Sequence, residues 1–252
     1  MSESDQNRVY YHNLPAGFTR PANDAERLLL REYGAVYVAR GGVTPPDKIV
    51  FIDEADVAAF QAGLNRSTTK IDGITVDLQT PAMAALLDAR SEAQKNKLLI
   101  SPRGADSARR GYDQTVSLWA SRVNPGLTYW VGKGRVSAAE AKRIKGLSPF
   151  EQVPEILRLE QDNIFFAKSL DKSIIYSVAP PGTSQHLSML ALDVNEFDNA
   201  RVRMILANHG WYQTVSSDLP HFTYLGVEER ELPTLGLKQV TNSGRVFWVP
   251  DI

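Results

Sequence analysis

Thr183–Asp193 reads TSQHLSMLALD, and Ser217–Phe222 reads SDLPHF. Leu190–Val194 is a short, apolar, β-prone run that ends on a carboxylate, which predicts a strand with Asp193 near its end. His186 lies seven residues before Asp193, in the loop entering that strand, so both side chains can turn toward one pocket. Phe222–Leu225 predicts a second strand, and His221 stands at its mouth, three residues after Asp218. Two imidazoles and a carboxylate delivered by strand ends suit a catalytic zinc site, which usually takes three protein ligands and leaves one position open. On that arithmetic the ligands are His186, Asp193 and His221, with Asp218 as a general base. The plainer alternative is a set of solvated polar groups, since such spacings also arise by chance.

The rest of the chain limits the choice. Among 252 residues there are four histidines and no cysteine, so a transition-metal site has to use His and carboxylates, and a Cys nucleophile or disulfide is excluded. Lys and Arg total 28 against 29 Asp and Glu, a formal charge of −1, which argues against a dedicated nucleic-acid binder. No apolar run approaches the ~18–20 residues of a membrane span, and the polar start MSESDQNRVYYHN has no signal-peptide core.

Outward from the core segments, helices alternate with few strands, which predicts an α+β fold: a small antiparallel-containing sheet flanked by helices, with the site at strand ends. Residues 1–23 read as an irregular arm and Asp24–Tyr33 as a helix ended by Gly34. Ala35–Ala39 (AVYVA) and Ile49–Ile52 (IVFI) read as strands, and Asp53–Leu64 as a helix. Together they suggest an N-terminal α/β accessory region, residues 1–73, before a second block at 74–252. In that block Thr80-Pro81 starts a helix, with Thr80 as cap. Lys97–Ser101 (KLLIS) reads as a strand and Arg109–Ser121 as a helix. Ser137/Glu140 and Ser148/Glu151 are capping boxes. Ile174–Val178 and Val246–Val249 read as strands, and Asn195–His209 as a helix closed by Gly210.

Ser184-x-His186, Ala191-x-Asp193 and Asp218-x-x-His221 together resemble the VanY-type D,D-carboxypeptidases of the LAS zinc metallopeptidases, over about residues 74–252. The resemblance implies zinc on His186, Asp193 and His221, catalysis by Asp218 and a substrate-facing Arg103 after LLISP, and substrate binding by Ser184. It implies hydrolysis of peptidoglycan stem peptides or D-Ala-terminated peptides in the cell envelope or periplasm. Three positions depart from the pattern. Met189 stands at the family's Gly, Asp218 at its Glu, and Ser101-Pro102-Arg103 is a reduced form of Ser-Gly-Tyr-Arg, so Arg109 and Arg110 compete with Arg103. These departures keep a second reading open: a non-catalytic zinc-stabilised domain that binds cell-wall peptides or a protein partner. Neither exo- nor endopeptidase action is chosen by the sequence.

The remaining candidates read plainly. His209 is a cation at a helix C-terminus, His12 a surface residue, Trp211 a core residue, and Gly132–Arg135 (GKGR) a turn without phosphate-loop spacing.

Overall fold

The computed structural model describes residues 8–252. In chain order its helices are α1 (Val9–His12), α2 (Asp24–Tyr33), α3 (Glu54–Ala62), α4 (Thr80–Lys95), α5 (Tyr112–Gly132), α6 (Ala138–Lys145), α7 (Gln152–Gln161) and α8 (Ala200–Asn208). The strands are β1 (Arg66–Ile71), β2 (Ile74–Gln79), β3 (Ala191–Asp193), β4 (Trp211–Tyr212), β5 (His221–Tyr224), β6 (Leu237–Asn242) and β7 (Arg245–Pro250). All the pairing is antiparallel, in two hairpins and one three-stranded sheet. The fold is therefore α+β, with small antiparallel sheets and flanking helices.

The chain forms two compact units. One comprises the described residues up to 49, with 59–110 and 185–252; the other comprises 50–58 and 111–184. The first is organised by the sheet of order β3-β5-β4. Leu192, Trp211 and Phe222 are buried in this core, and α4 and α8 pack on each other beside it. The β3/β5 register sets Asp193 opposite His221 and Leu192 opposite Phe222. A carboxylate at the end of one strand thus faces an imidazole at the start of the next. The hairpin β1–β2 turns at Asp72-Gly73 and β6–β7 at Ser243-Gly244, each with both turn residues at positive φ (50° and 84°, 51° and 71°). That is the twist-compatible two-residue hairpin turn, and Asp-Gly is among its strongest sequence signals.

The second unit is mainly helical. Trp119, Val123 and Leu127 of α5 are buried with Ile144 of α6 and Ile156 of α7. Ser137 caps α6 by accepting from the Glu140 backbone N–H at 3.0 Å, as its motif requires. Glu160, at the end of α7, is buried and accepts from the backbone N–H of Ile174 at 2.7 Å and of Phe166 at 3.2 Å, and from the Ser173 hydroxyl. Replacing it with alanine leaves two buried N–H groups unpaired, at about 1–3 kcal/mol each. Glu160→Ala should accordingly lower the unfolding free energy of this unit by about 2–6 kcal/mol in urea titrations. Glu160→Gln, which keeps an acceptor oxygen, should lose less; equal losses would assign the effect to packing.

Several expected strands are not strands. Ala35–Ala39 lies in a 3₁₀ turn over Gly34–Val38, continuous with α2, and every residue of that turn is buried. Ile174–Tyr176 is a 3₁₀ turn as well. Neither Ile49–Ile52 nor Lys97–Ser101 joins a ladder, and pairing beyond the latter is limited to one bridge between Pro102 and Val194. The first two runs bury apolar side chains in 3₁₀ turns, whereas the other two are irregular and leave Ile52 and Leu99 exposed. The arm carries α1, whose Tyr10 is fully buried and donates its hydroxyl to the Gly34 carbonyl at 2.7 Å. The expected division at 73/74 falls in the turn of the β1–β2 hairpin, whose strands pair from Arg66 with Gln79 to Ile71 with Ile74.

Candidate metal centre

Three elements of the first unit converge. A 3₁₀ turn over Gln185–Ser188 carries His186, the end of β3 carries Asp193, and the start of β5 carries His221. Met189 links the first two at φ 59°, a left-handed conformation that non-glycine residues rarely adopt. Its backbone N–H returns to the His186 carbonyl at 3.2 Å, its own carbonyl accepts from Gln79 N–H at 3.1 Å, and its side chain is fully buried. The sequence position where the resemblance expects glycine therefore keeps the glycine conformation, with a methionine filling the core beside it.

One donor atom from each of His186, Asp193 and His221 lies within 4.8 Å of the other two. His186 Nε2 and His221 Nδ1 each stand 3.3 Å from the same carboxylate oxygen, Asp193 Oδ1. The imidazoles meet edge to face, with centroids 4.9 Å apart, and both are nearly inaccessible to solvent. The second carboxylate oxygen, Oδ2, accepts from Arg110 Nη2 at 2.9 Å, and Arg110 Nε is held by the Asp106 carbonyl at 3.1 Å.

The proton positions follow from the partners. His186 Nδ1 lies 2.7 Å from the Ala108 carbonyl, which can only accept, so Nδ1 carries the hydrogen. That leaves Nε2 as a lone pair, buried and without a hydrogen-bond partner. His221 Nε2 lies 2.9 Å from the side-chain oxygen of Gln185 and its Nδ1 lies 3.3 Å from Asp193 Oδ1, so both ring nitrogens face acceptors. Burial is the main influence lowering the His186 pKa, Arg110 adds to it and Asp193 opposes it, so the ring is neutral near pH 7. Asp193 Oδ2 is paired with the Arg110 guanidinium at 2.9 Å, and an adjacent cation favours the ionised carboxylate.

The His186 lone pair thus faces the Asp193 carboxylate with no proton between them, and with the His221 proton on Nε2 a third acceptor joins them. Such an arrangement is costly unless a cation occupies the centre. Ligands ~2.0–2.1 Å from a tetrahedral zinc lie about 3.3 Å from each other, which matches the two N–O separations. The residues therefore fit a small divalent ion with nitrogen and oxygen ligands.

The other sequence candidates take separate places. The Asp218 side chain is exposed, and its backbone closes a turn: N–H to the Val215 carbonyl at 3.0 Å, carbonyl to His221 N–H at 3.2 Å. Its carboxylate is outside the three-residue donor group. Arg103 donates its backbone N–H to the Asp193 carbonyl at 2.9 Å and lays its exposed guanidinium over the Phe197 ring at 5.7 Å. Arg109 is bound to Gln61 at 2.6 Å and Asp77 at 3.5 Å. Of the three arginines, Arg110 therefore touches a metal-ligand candidate by its side chain, and Arg103 by its backbone. Ser184 is buried and belongs to the second unit, whereas Gln185 and His186 belong to the first. Trp211 is fully buried against Tyr224, and His209 pairs with Glu92 at 2.8 Å.

Sequence reasoning passed over Gln185, Arg110 as a carboxylate partner, and the Ala108 carbonyl. For Gln185 a signal existed: it is a polar residue next to a ligand, in a stretch otherwise destined for the interior. The Ala108 carbonyl has no side-chain signal at all.

No protein-family model matches the chain, and no curated protein matches it by sequence. Solved structures similar to it include the D,D-pentapeptidase VanY of a VanB-type vancomycin-resistance cassette, a variant in complex with Zn(II) (16% identity, 66% of this chain and 82% of that one, TM-score 0.37). VanYB in complex with D-alanine-D-alanine is another (16%, 66% and 80%, 0.38). A third is the LD-carboxypeptidase LdcB (16%, 77% and 75%, 0.39).

Proposed function

We propose that this protein is a zinc-dependent peptidase that hydrolyses peptidoglycan stem peptides in the cell envelope or periplasm, with D-alanyl-D-alanine carboxypeptidase-like action. The observation that carries the reading is the buried, unpartnered Nε2 of His186 aimed at Asp193 beside an equally oriented His221. The motifs Ser184-x-His186, Ala191-x-Asp193 and Asp218-x-x-His221 supply the substrate class. Zinc held by His186, Asp193 and His221 would supply Lewis acidity toward a carbonyl and acidify a water.

The protein's own groups have distinct tasks. Asp218 accepts a proton on its carboxylate and returns it to the leaving amine. Arg110 occupies Asp193 Oδ2 and so presents Oδ1 alone to the imidazoles. Arg103 is fixed at its backbone to Asp193 while its guanidinium stays exposed, which suits it to bind a substrate carboxylate or carbonyl oxygen. Ser184 binds substrate in this reading. The exposure of Asp218 and its shorter reach favour one second reading, a zinc-stabilised module that binds such peptides without cutting them.

The test is elemental analysis of the purified protein together with hydrolysis of a stem pentapeptide ending in D-Ala-D-Ala. Stoichiometric zinc and release of D-Ala are expected. Arg103→Ala should retain zinc and raise KM about tenfold or more, as loss of a charge-assisted contact worth ~1.5–3 kcal/mol requires. Protein without affinity for zinc would overturn the reading. Zinc without hydrolysis, but with saturable peptide binding, would select the binding module.

A further inference from the structure

We infer that Gln185 is a positioning residue that sets the tautomer of His221 and so makes its Nδ1 a metal ligand. The inference rests on the proposed zinc site. It starts from the Tyr33 backbone carbonyl, which can only accept and lies 2.8 Å from Gln185 Nε2. This fixes which end of the amide is nitrogen. The opposite end, Oε1, therefore faces His221 Nε2 at 2.9 Å.

A closed ring of hydrogen bonds holds that orientation. Gln185 Nε2 also donates to Thr214 Oγ1 at 3.3 Å, Thr214 Oγ1 and Thr223 Oγ1 share a hydrogen bond at 2.6 Å, and the threonine hydroxyls donate to Gln185 Oε1. Both amide hydrogens and both carbonyl lone pairs of Gln185 are then used, and all four residues that hold it (Tyr33, Thr214, Thr223, His221) are buried. Flipping the amide would set an oxygen against the Tyr33 carbonyl and an NH₂ against the His221 ring. The network admits one orientation of the amide.

An imidazole with a single ring proton at His221 has two acceptors competing for it. Asp193 Oδ1 at 3.3 Å from Nδ1 draws it to the ligand nitrogen, and Gln185 Oε1 at 2.9 Å from Nε2 draws it away. Without Gln185 the carboxylate is the remaining acceptor, the proton moves to Nδ1, and the lone pair needed by a metal is lost. Partners of this kind are worth about 10–100-fold in metal affinity.

The experiment has two readouts on folded, full-length protein. The first is the ¹⁵N spectrum of the imidazoles in metal-free protein at pH 8. Wild type is expected to show His221 with hydrogen on Nε2. Gln185→Met, similar in length but with no oxygen, is expected to move it to Nδ1, and Gln185→Glu, which keeps an oxygen facing the ring and, as the protonated acid, a donor for the Tyr33 carbonyl, to leave it on Nε2. The second is zinc affinity by chelator competition, expected to fall about 10–100-fold in Gln185→Met and to be largely retained in Gln185→Glu. Wild type with hydrogen on His221 Nδ1 overturns the inference even if Gln185→Met fails to fold. So does a folded Gln185→Met with wild-type tautomer and affinity. If wild type binds no zinc, the zinc reading fails, while the tautomer measurement still decides the role of Gln185.

Discussion

His186→Ala is expected to remove stoichiometric zinc, with an affinity loss exceeding the ~10–100-fold typical of outer-sphere partners, because it deletes one of the three proposed ligands. The deletion also leaves the Ala108 carbonyl without its imidazole donor, so the measurement needs a control for folding. Zinc at ~100 times its dissociation constant stabilises a folded state by about 2.7 kcal/mol. At roughly 2–4 °C per kcal/mol for a chain of this size, wild-type Tm should rise by about 5–10 °C on adding zinc. His186→Ala should show no such rise, and chelation should bring wild type back to its metal-free Tm. A variant that keeps full zinc occupancy would remove His186 from the ligand set. A wild type whose Tm ignores zinc would contradict coupling between the ion and the fold.

The parts of this site differ in how plainly the sequence displays them. Asp193 and His221 are legible because each is tied to a strand end, and strand pairing then fixes them opposite each other without further information. Side-chain pairs across a ladder inherit their geometry from the register. The β1–β2 hairpin was passed over, and the division at 73/74 drawn through its Asp72-Gly73 turn, because Thr- and Lys-rich β1 lacks the apolar alternation that makes a strand conspicuous. In contrast, Ala35–Ala39 has strand composition but lies in a 3₁₀ turn, because burial of an apolar run does not specify the conformation that buries it.

Residues that act through the backbone are the least legible. The Ala108 carbonyl sets the His186 tautomer and the Tyr33 carbonyl orients Gln185, and neither leaves a mark on residue type. The second also bears on the N-terminal region. Tyr33 lies within residues 1–73, so a chain lacking that region loses the acceptor that orients the Gln185 amide. Met189 shows the reverse case. Its identity departs from glycine, yet its φ of 59° keeps what the turn between His186 and Asp193 needs. A left-handed residue costs ~1–2 kcal/mol, and burying a methionine side chain contributes about 1.5–3 kcal/mol. The substitution is therefore tolerable on energy alone, and the departure says little against the ligand geometry.

Asp218 carries the question of activity. Its carboxylate is one methylene shorter than a glutamate's, a difference of about 1.5 Å in reach, and a misplacement of ~1 Å can cost ~100-fold in rate. Because the residue lies in an exposed turn whose carbonyl accepts from His221 N–H, its backbone is anchored to the ligand strand while its side chain is free to change length. Asp218→Ala should keep zinc and lower kcat for a D-Ala-terminated peptide by about 10²–10⁴-fold, the usual contribution of a general base. Asp218→Glu should preserve kcat or raise it, and the same fold should accept it because the side chain points to solvent. Steady-state hydrolysis with zinc content measured on the same samples separates the outcomes. Equal activity in wild type and Asp218→Ala would refute the base assignment. An inactive wild type made active by Asp218→Glu would mean that the ligands are in place and only the reach of one carboxylate is missing, which is the condition of a peptide-binding module that retains an enzyme's metal site.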